Sequence, residues 1–234
     1  QGGSTTAVGN AAGNSEQGDY ATAVGREAGK TSQGTKAIAV GYLAGSSEQG
    51  AVSIAVGNGA GLNAQGASAV AVGPDAGKTS QGDYTVAVGR YAGYNAQVED
   101  ATAIGHAAGQ ISQGSKSVAV GRAAGYEAQA ANATAVGYGA GQTSQGTNAT
   151  ALGDRAGQVS QGAQAVAVGY LAGQSDQGGR GVAVGREAGK IAQTQYATAV
   201  GYTAGMTSQG QNAVAIGANS GRDSQLAEAV AVGY

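Results

Sequence analysis

Ala165-Val166-Ala167-Val168-Gly169-Tyr170-Leu171-Ala172-Gly173-Gln174-Ser175-Asp176-Gln177-Gly178 makes up most of one turn of a pattern that recurs along the chain. Its first four residues alternate, with Val on one side and Ala on the other, which is the period of a half-buried strand. Ala also suits a helix, but the alternation has the wrong period, and two Gly in every turn would each cost a helix about 1 kcal/mol. The stretch therefore reads as a short strand, a Gly corner, a tetrapeptide ending in Ala-Gly, a polar corner and Gln-Gly.

The corner Gly returns every 16 residues, at Gly9, Gly25, Gly41, Gly57, Gly73, Gly89, Gly105, Gly121, Gly137, Gly153, Gly169, Gly185, Gly201, Gly217 and Gly233, with no insertion. A second Gly follows four residues later, from Gly13 to Gly221, and a third follows the Gln in ten of fourteen turns. Linker glycine would not hold register, so these are structural punctuation. The pattern predicts an all-β fold, a parallel β-solenoid (β-roll) of 16-residue coils. Residues 1–234 read as one continuous array of about 14 coils, an uncapped segment of a longer protein. At roughly 4.8 Å per coil the expected rod is on the order of 65–70 Å long. Ordering the backbone of one coil costs roughly 16–30 kcal/mol, far more than its few Ala and Val return, so the stability must come from stacking.

A longer period overlies the short one. After the corner Gly, Tyr occupies alternate coils (Tyr42, Tyr138, Tyr170, Tyr202, Tyr234), while Arg26, Arg90, Arg122 and Arg186 fall in the intervening ones. The sites lacking the third Gly (Val98, Ala130, Thr194, Leu226) keep the Arg parity, so the repeating unit is a 32-residue pair of coils. Alternation spares neighbouring coils a stack of like charges and sets each guanidinium beside an aromatic ring.

The composition excludes a wide core: there are 45 Gly, 1 Pro and no Trp, Phe or Cys among 234 residues. Small side chains fill only a thin interior at native packing density. A net charge of -2 with 11% charged residues offers no basic stripe, so no nucleic-acid partner is expected. No apolar run nears the roughly 18 residues of a membrane helix, so no membrane insertion is expected in this segment. No catalytic, metal or cofactor site is expected either. His106 has no second His or Cys for a metal, and carboxylates such as Asp75, Glu99 and Asp154 fall at scattered sites of the coil. The Gly-x-x-x-Gly strings are by-products of the repeat, since no Gly-Lys-Ser/Thr follows them.

Two rows carry specific expectations. Gln17, Gln33, Gln49, Gln65, Gln81, Gln97, Gln113, Gln129, Gln145, Gln161, Gln177, Gln193, Gln209 and Gln225 fill one site in every full coil. An amide both donates and accepts, so this row is expected inside a corner as a hydrogen-bonded ladder. Arg26, Tyr42, Arg90, Arg122, Tyr138, Tyr170, Arg186 and Tyr202 form a row that covers a corner or contacts a glycan or protein partner. Pro74 in that row predicts a site whose N–H no neighbouring coil requires.

The strings AVAVG, AIAVG and TAIG, each leading to a small-residue corner and another Gly, resemble the head repeat of the YadA-like trimeric autotransporter adhesins, with its S-V-A-I-G core. The likeness covers essentially the whole chain, through residues such as Val214-Ala215-Ile216-Gly217, although the coil here is longer and the Gln is not part of that pattern. The arrays also resemble repeats of phage tail fibres and large-virus surface proteins. The resemblance implies a left-handed roll, a homotrimer, and attachment at an extracellular, cell or virion surface, with host glycan or matrix protein as partner. The residues supply a separate argument for self-association: one strand face is Ala in every coil, the other Val, Ile, Leu or Thr, and a single roll buries only one of them. A second reading is a monomeric ice-binding or other surface-display solenoid. It needs a regular Thr row, and Thr6, Thr22, Thr102, Thr134, Thr150 and Thr198 are interrupted by Val or Ile elsewhere.

Overall fold

The computed structural model describes residues 2–234. The fold is all-β: parallel strands stacked as a β-solenoid of about 14 turns with 16-residue spacing. The chain forms two compact units, Gln1–Lys116 and Ser117–Tyr234.

In the first unit the Ala-bearing strands are Thr6–Val8, Thr22–Val24, Ile38–Val40, Ile54–Val56, Val70–Val72, Val86–Val88 and Thr102–Ile104. Each pairs in parallel with the next at a register of one coil, as in Thr6↔Thr22, Ala7↔Ala23 and Val8↔Val24. A second parallel sheet is built from Ser15–Gln17, Thr31–Gln33, Ser47–Gln49, Asn63–Gln65, Thr79–Gln81, Asn95–Gln97 and Ile111–Gln113. In the second unit the Ala sheet runs from Val118–Val120 to Val230–Val232. Its Gln sheet holds Glu127–Gln129, Thr143–Gln145 and Val159–Gln161, then continues as single bridges through Ser175, Ile191, Thr207 and Asp223. The ladder bonds persist there, with Ser175 N–H donating to Lys190 O at 2.9 Å.

The sequence pattern predicts one strand per coil, and the structure has two. In the second strand the residue before Gln is left-handed, as at Ser32 (φ 51°) and Ala64 (φ 52°). Pairing therefore involves only the flanking residues, such as Thr79↔Asn95 and Gln81↔Gln97. A bent three-residue strand that sends only Gln inward leaves no apolar alternation to read.

Two tight turns shape each coil: Ala28 N–H returns to Gly25 O at 3.3 Å and Ala37 N–H to Gly34 O at 3.2 Å. Non-Gly residues take positive φ at both, Glu27 (58°) and Lys36 (59°) among them. Such a conformation costs an L-residue roughly 1–2 kcal/mol. Inter-coil bonds from the same residues offset it, Glu27 N–H to Asn10 O and Lys36 N–H to Asp19 O, both 2.8 Å.

Three Ala rows line the interior. Ala23, Ala28 and Ala37 are fully buried, as are their equivalents in nearly every other coil. The largest fully buried side chains are the Gln themselves. Two glycines make this stacking possible. A Cβ on Gly137 would lie 2.4 Å from Gly153 O of the next coil, and one on Gly141 would meet Gln145 Oε1 of its own coil at 2.7 Å. Corner Gly thus sets the close approach of coils, and the second Gly makes room for the amide.

Candidate functional site

The inward Gln side chains bridge the two sheets. Gln145 Nε2 donates to Thr134 O of the Ala strand at 2.8 Å and to Gln161 Oε1 of the following coil at 3.1 Å. The same pair of contacts recurs at Gln33, with Thr22 O at 2.9 Å and Gln49 Oε1 at 3.1 Å, and at Gln193, with Val182 O at 2.8 Å and Gln209 Oε1 at 3.0 Å. Every such Gln-to-Gln bond donates toward the C-terminal coil. In the first unit Gln65 Oε1 and Gln81 Oε1 have no hydrogen-bond partner, nor has Gln17 Oε1 of the first described coil. In the second unit Gln129 Oε1 has none. With each amide donating to a carbonyl of the Ala strand and almost no exposure, this column is structural chemistry, closed to a ligand.

The Tyr/Arg row lies outside. Arg26 sits over Tyr42 at 5.7 Å and Arg122 over Tyr138 at 5.8 Å, while Arg186 lies between Tyr170 and Tyr202 at 5.6 Å from each ring. Arg90 has Pro74 and His106 as row neighbours and turns instead to Tyr91, at 4.7 Å. The exposed His106 ring meets Tyr91 edge-on at 6.2 Å. The residue after the corner Gly donates no backbone hydrogen bond in any described coil, and Pro74 keeps only its acceptor role, toward Tyr91 N–H at 3.1 Å.

Carboxylates near this row serve as counter-ions. Glu27 pairs with Lys30 at 2.9 Å and with Arg26 at 3.3 Å; the Lys30 hydrogen bond holds its carboxyl below the usual range. Asp75 pairs with Lys78 at 3.0 Å and raises the Lys78 ammonium pKa. Asp154 lies 3.8 Å from Arg155, and Glu99 is exposed. Among the described residues no group of three or more His, Cys, Asp or Glu could hold a metal ion, and no helix is long and apolar enough to cross a membrane.

Three surface features lie outside these two rows. The outer face of the Ala sheet carries Val, Ile, Leu and Thr in both outward rows of each unit; Ile38, Ile104, Leu152 and Ile216 are each about 40% exposed. A second, outer amide ladder joins Gln174 to Gln158 at 3.0 Å and Gln158 to Gln142 at 2.7 Å. Its 16-residue spacing was the only sequence signal for it. The third feature is an open cleft lined by Ala163, Gln164, Gly179, Arg180, Gln195 and Tyr196. The side chains that define it come from adjacent coils, at a site where composition varies, and no sequence pattern marks it. No family model matches the chain, and no curated protein matches it in sequence.

Proposed function

We propose that the chain is the shaft or head of a homotrimeric fibre or adhesin outside a cell or on a virion, and that it acts in attachment without catalysing a reaction. The observation that carries this reading is the outer face of the Ala sheet. Its two outward rows are aliphatic or Thr in both units and half-open to solvent. A sheet face of this kind is normally covered, and copies of the same chain offer the same strip. Three is the number that the adhesin resemblance implies. The amide column supports a mechanical role, because it fills the interior with directional bonds where an enzyme would need an open site.

Sedimentation equilibrium on the purified chain checks the proposal. The expected mass is that of three chains, and Val70→Glu with Val72→Glu should reduce it to one chain while the β-sheet circular dichroism is kept. A wild-type mass of one chain would remove the trimer and favour a monomeric display or ice-binding surface, which thermal hysteresis would then separate.

A further inference from the structure

We infer that the cleft around Arg180 binds a carboxylate-bearing sugar unit. The proposal deepens the attachment reading by naming a ligand class, and it does not depend on the number of chains. Arg180 is exposed, yet its guanidinium is held in place: Nε donates to Gln164 Oε1 at 2.7 Å and Nη1 to the Tyr196 hydroxyl at 2.6 Å. Neither partner is a carboxylate. Arg26, Arg155 and Arg186 each lie beside a carboxylate, whereas among the described residues no carboxylate lies within ion-pair distance of Arg180, and unlike Arg90 and Arg122, which share that lack, Arg180 lines an open cleft. Its charge is thus oriented but unmatched, and the remaining donors of the fork suit a planar carboxylate.

The surroundings select a sugar. Ala163 and Gly179 are small residues at the same site of consecutive coils, so they leave a depression. Tyr196 is 44% exposed and its ring carries the Arg180 guanidinium 5.4 Å from its centroid, so the C–H side of a pyranose can lie on the part of the ring that the guanidinium leaves open. Gln164 and Gln195 provide amides that donate to and accept from hydroxyl pairs. A simple inorganic anion would use Arg180 alone; a uronic acid residue would use all four groups.

Titration calorimetry with trigalacturonic acid, and with its neutral methyl ester, tests the assignment. The acid should bind the full chain, and the ester should bind about tenfold or more weakly, reflecting loss of a charge-assisted bidentate contact. Arg180→Gln should weaken the acid to the level of the ester, whereas Arg180→Lys should recover only part of the affinity. Gly179→Gln should abolish binding by filling the depression. That side chain already occurs one coil on at Gln195, and the nearest atom to an added Cβ is Ala163 O at 3.3 Å, so an unchanged melting temperature should confirm that the fold is intact. No binding of the acid, equal binding of acid and ester, or full affinity in Gly179→Gln would each overturn the site. Sedimentation of the same samples separates the two proposals: a single-chain mass with acid binding rejects the trimer alone, and a trimer that ignores the acid rejects the site alone.

Discussion

Gln145 and Gln65 occupy the same site of the coil but have different surroundings, and the difference is measurable. Gln145 donates to Thr134 O and Gln161 Oε1 and accepts from Gln129 Nε2 at 3.0 Å, whereas Gln65 Oε1 has no partner. Removing an amide strands the groups it satisfied, at about 1–3 kcal/mol each. Gln145→Leu should therefore lower the free energy of urea unfolding by more than Gln65→Leu does. The opposite order would show that packing, and not hydrogen bonding, fixes this site. Val52 offers a gain instead. It is β-branched and held at φ 59°, a conformation that Asn tolerates far better. Val52→Asn should raise unfolding stability by roughly 1 kcal/mol. Acid acts on Glu27: its folded pKa lies below the unfolded one, so its contribution is present above the unfolded value and is lost as pH falls through the folded one. An NMR titration should place its midpoint below the ordinary value of a glutamate carboxyl, and Lys30→Met should move it back up.

Strands and corners were unequally legible. The Ala strand could be read directly because Ala167 and Val168 face opposite ways and the two rows differ in size. The second strand could not, because a left-handed residue breaks its alternation and its one inward side chain is polar. The buried Gln row was evident from invariance alone, since Gln keeps its place while the residue before it varies among Ser, Ala, Glu and Asp. Its exact partners depend on Thr134 O and similar carbonyls of another strand, which spacing does not reveal. The Arg180 cleft was illegible for a simpler reason: Gly179 looks like one more glycine in a glycine-rich chain. At the corners, Gly137→Ala should be more disruptive than Gly179→Ala. Its Cβ would meet Gly153 O at 2.4 Å, against a nearest contact of 3.3 Å at Gly179. Thermal melts of the two variants check this, and equal melting temperatures would contradict the close-stacking account.

The whole array is a register device, so its length should be adjustable only in whole coils. Deleting residues 137–168 joins Val136 to Gly169 and leaves Arg122 next to Tyr170 in the row, so the shortened chain should keep its sheet dichroism and a cooperative melt. Deleting two residues fewer, 137–166, joins Val136 to Ala167 and throws the Gln and Gly rows out of step; that chain should fail to fold cooperatively. The amide column adds a sense to this arithmetic. Every Gln-to-Gln bond of the inner column points its hydrogen toward the following coil, opposite to the outer ladder of Gln142, Gln158 and Gln174, whereas backbone N–H groups donate to coils on both sides, as Gly141 N–H does to Ala156 O and Gly137 N–H to Val120 O. The side-chain dipoles therefore add along each bonded run of the inner column, as from Gln129, whose oxygen has no partner, to Gln225. A stack built like this is a vector. A coil added to such a run can continue it only in the same sense, donor onto acceptor, because a coil laid the other way would set oxygen against oxygen or hydrogen against hydrogen.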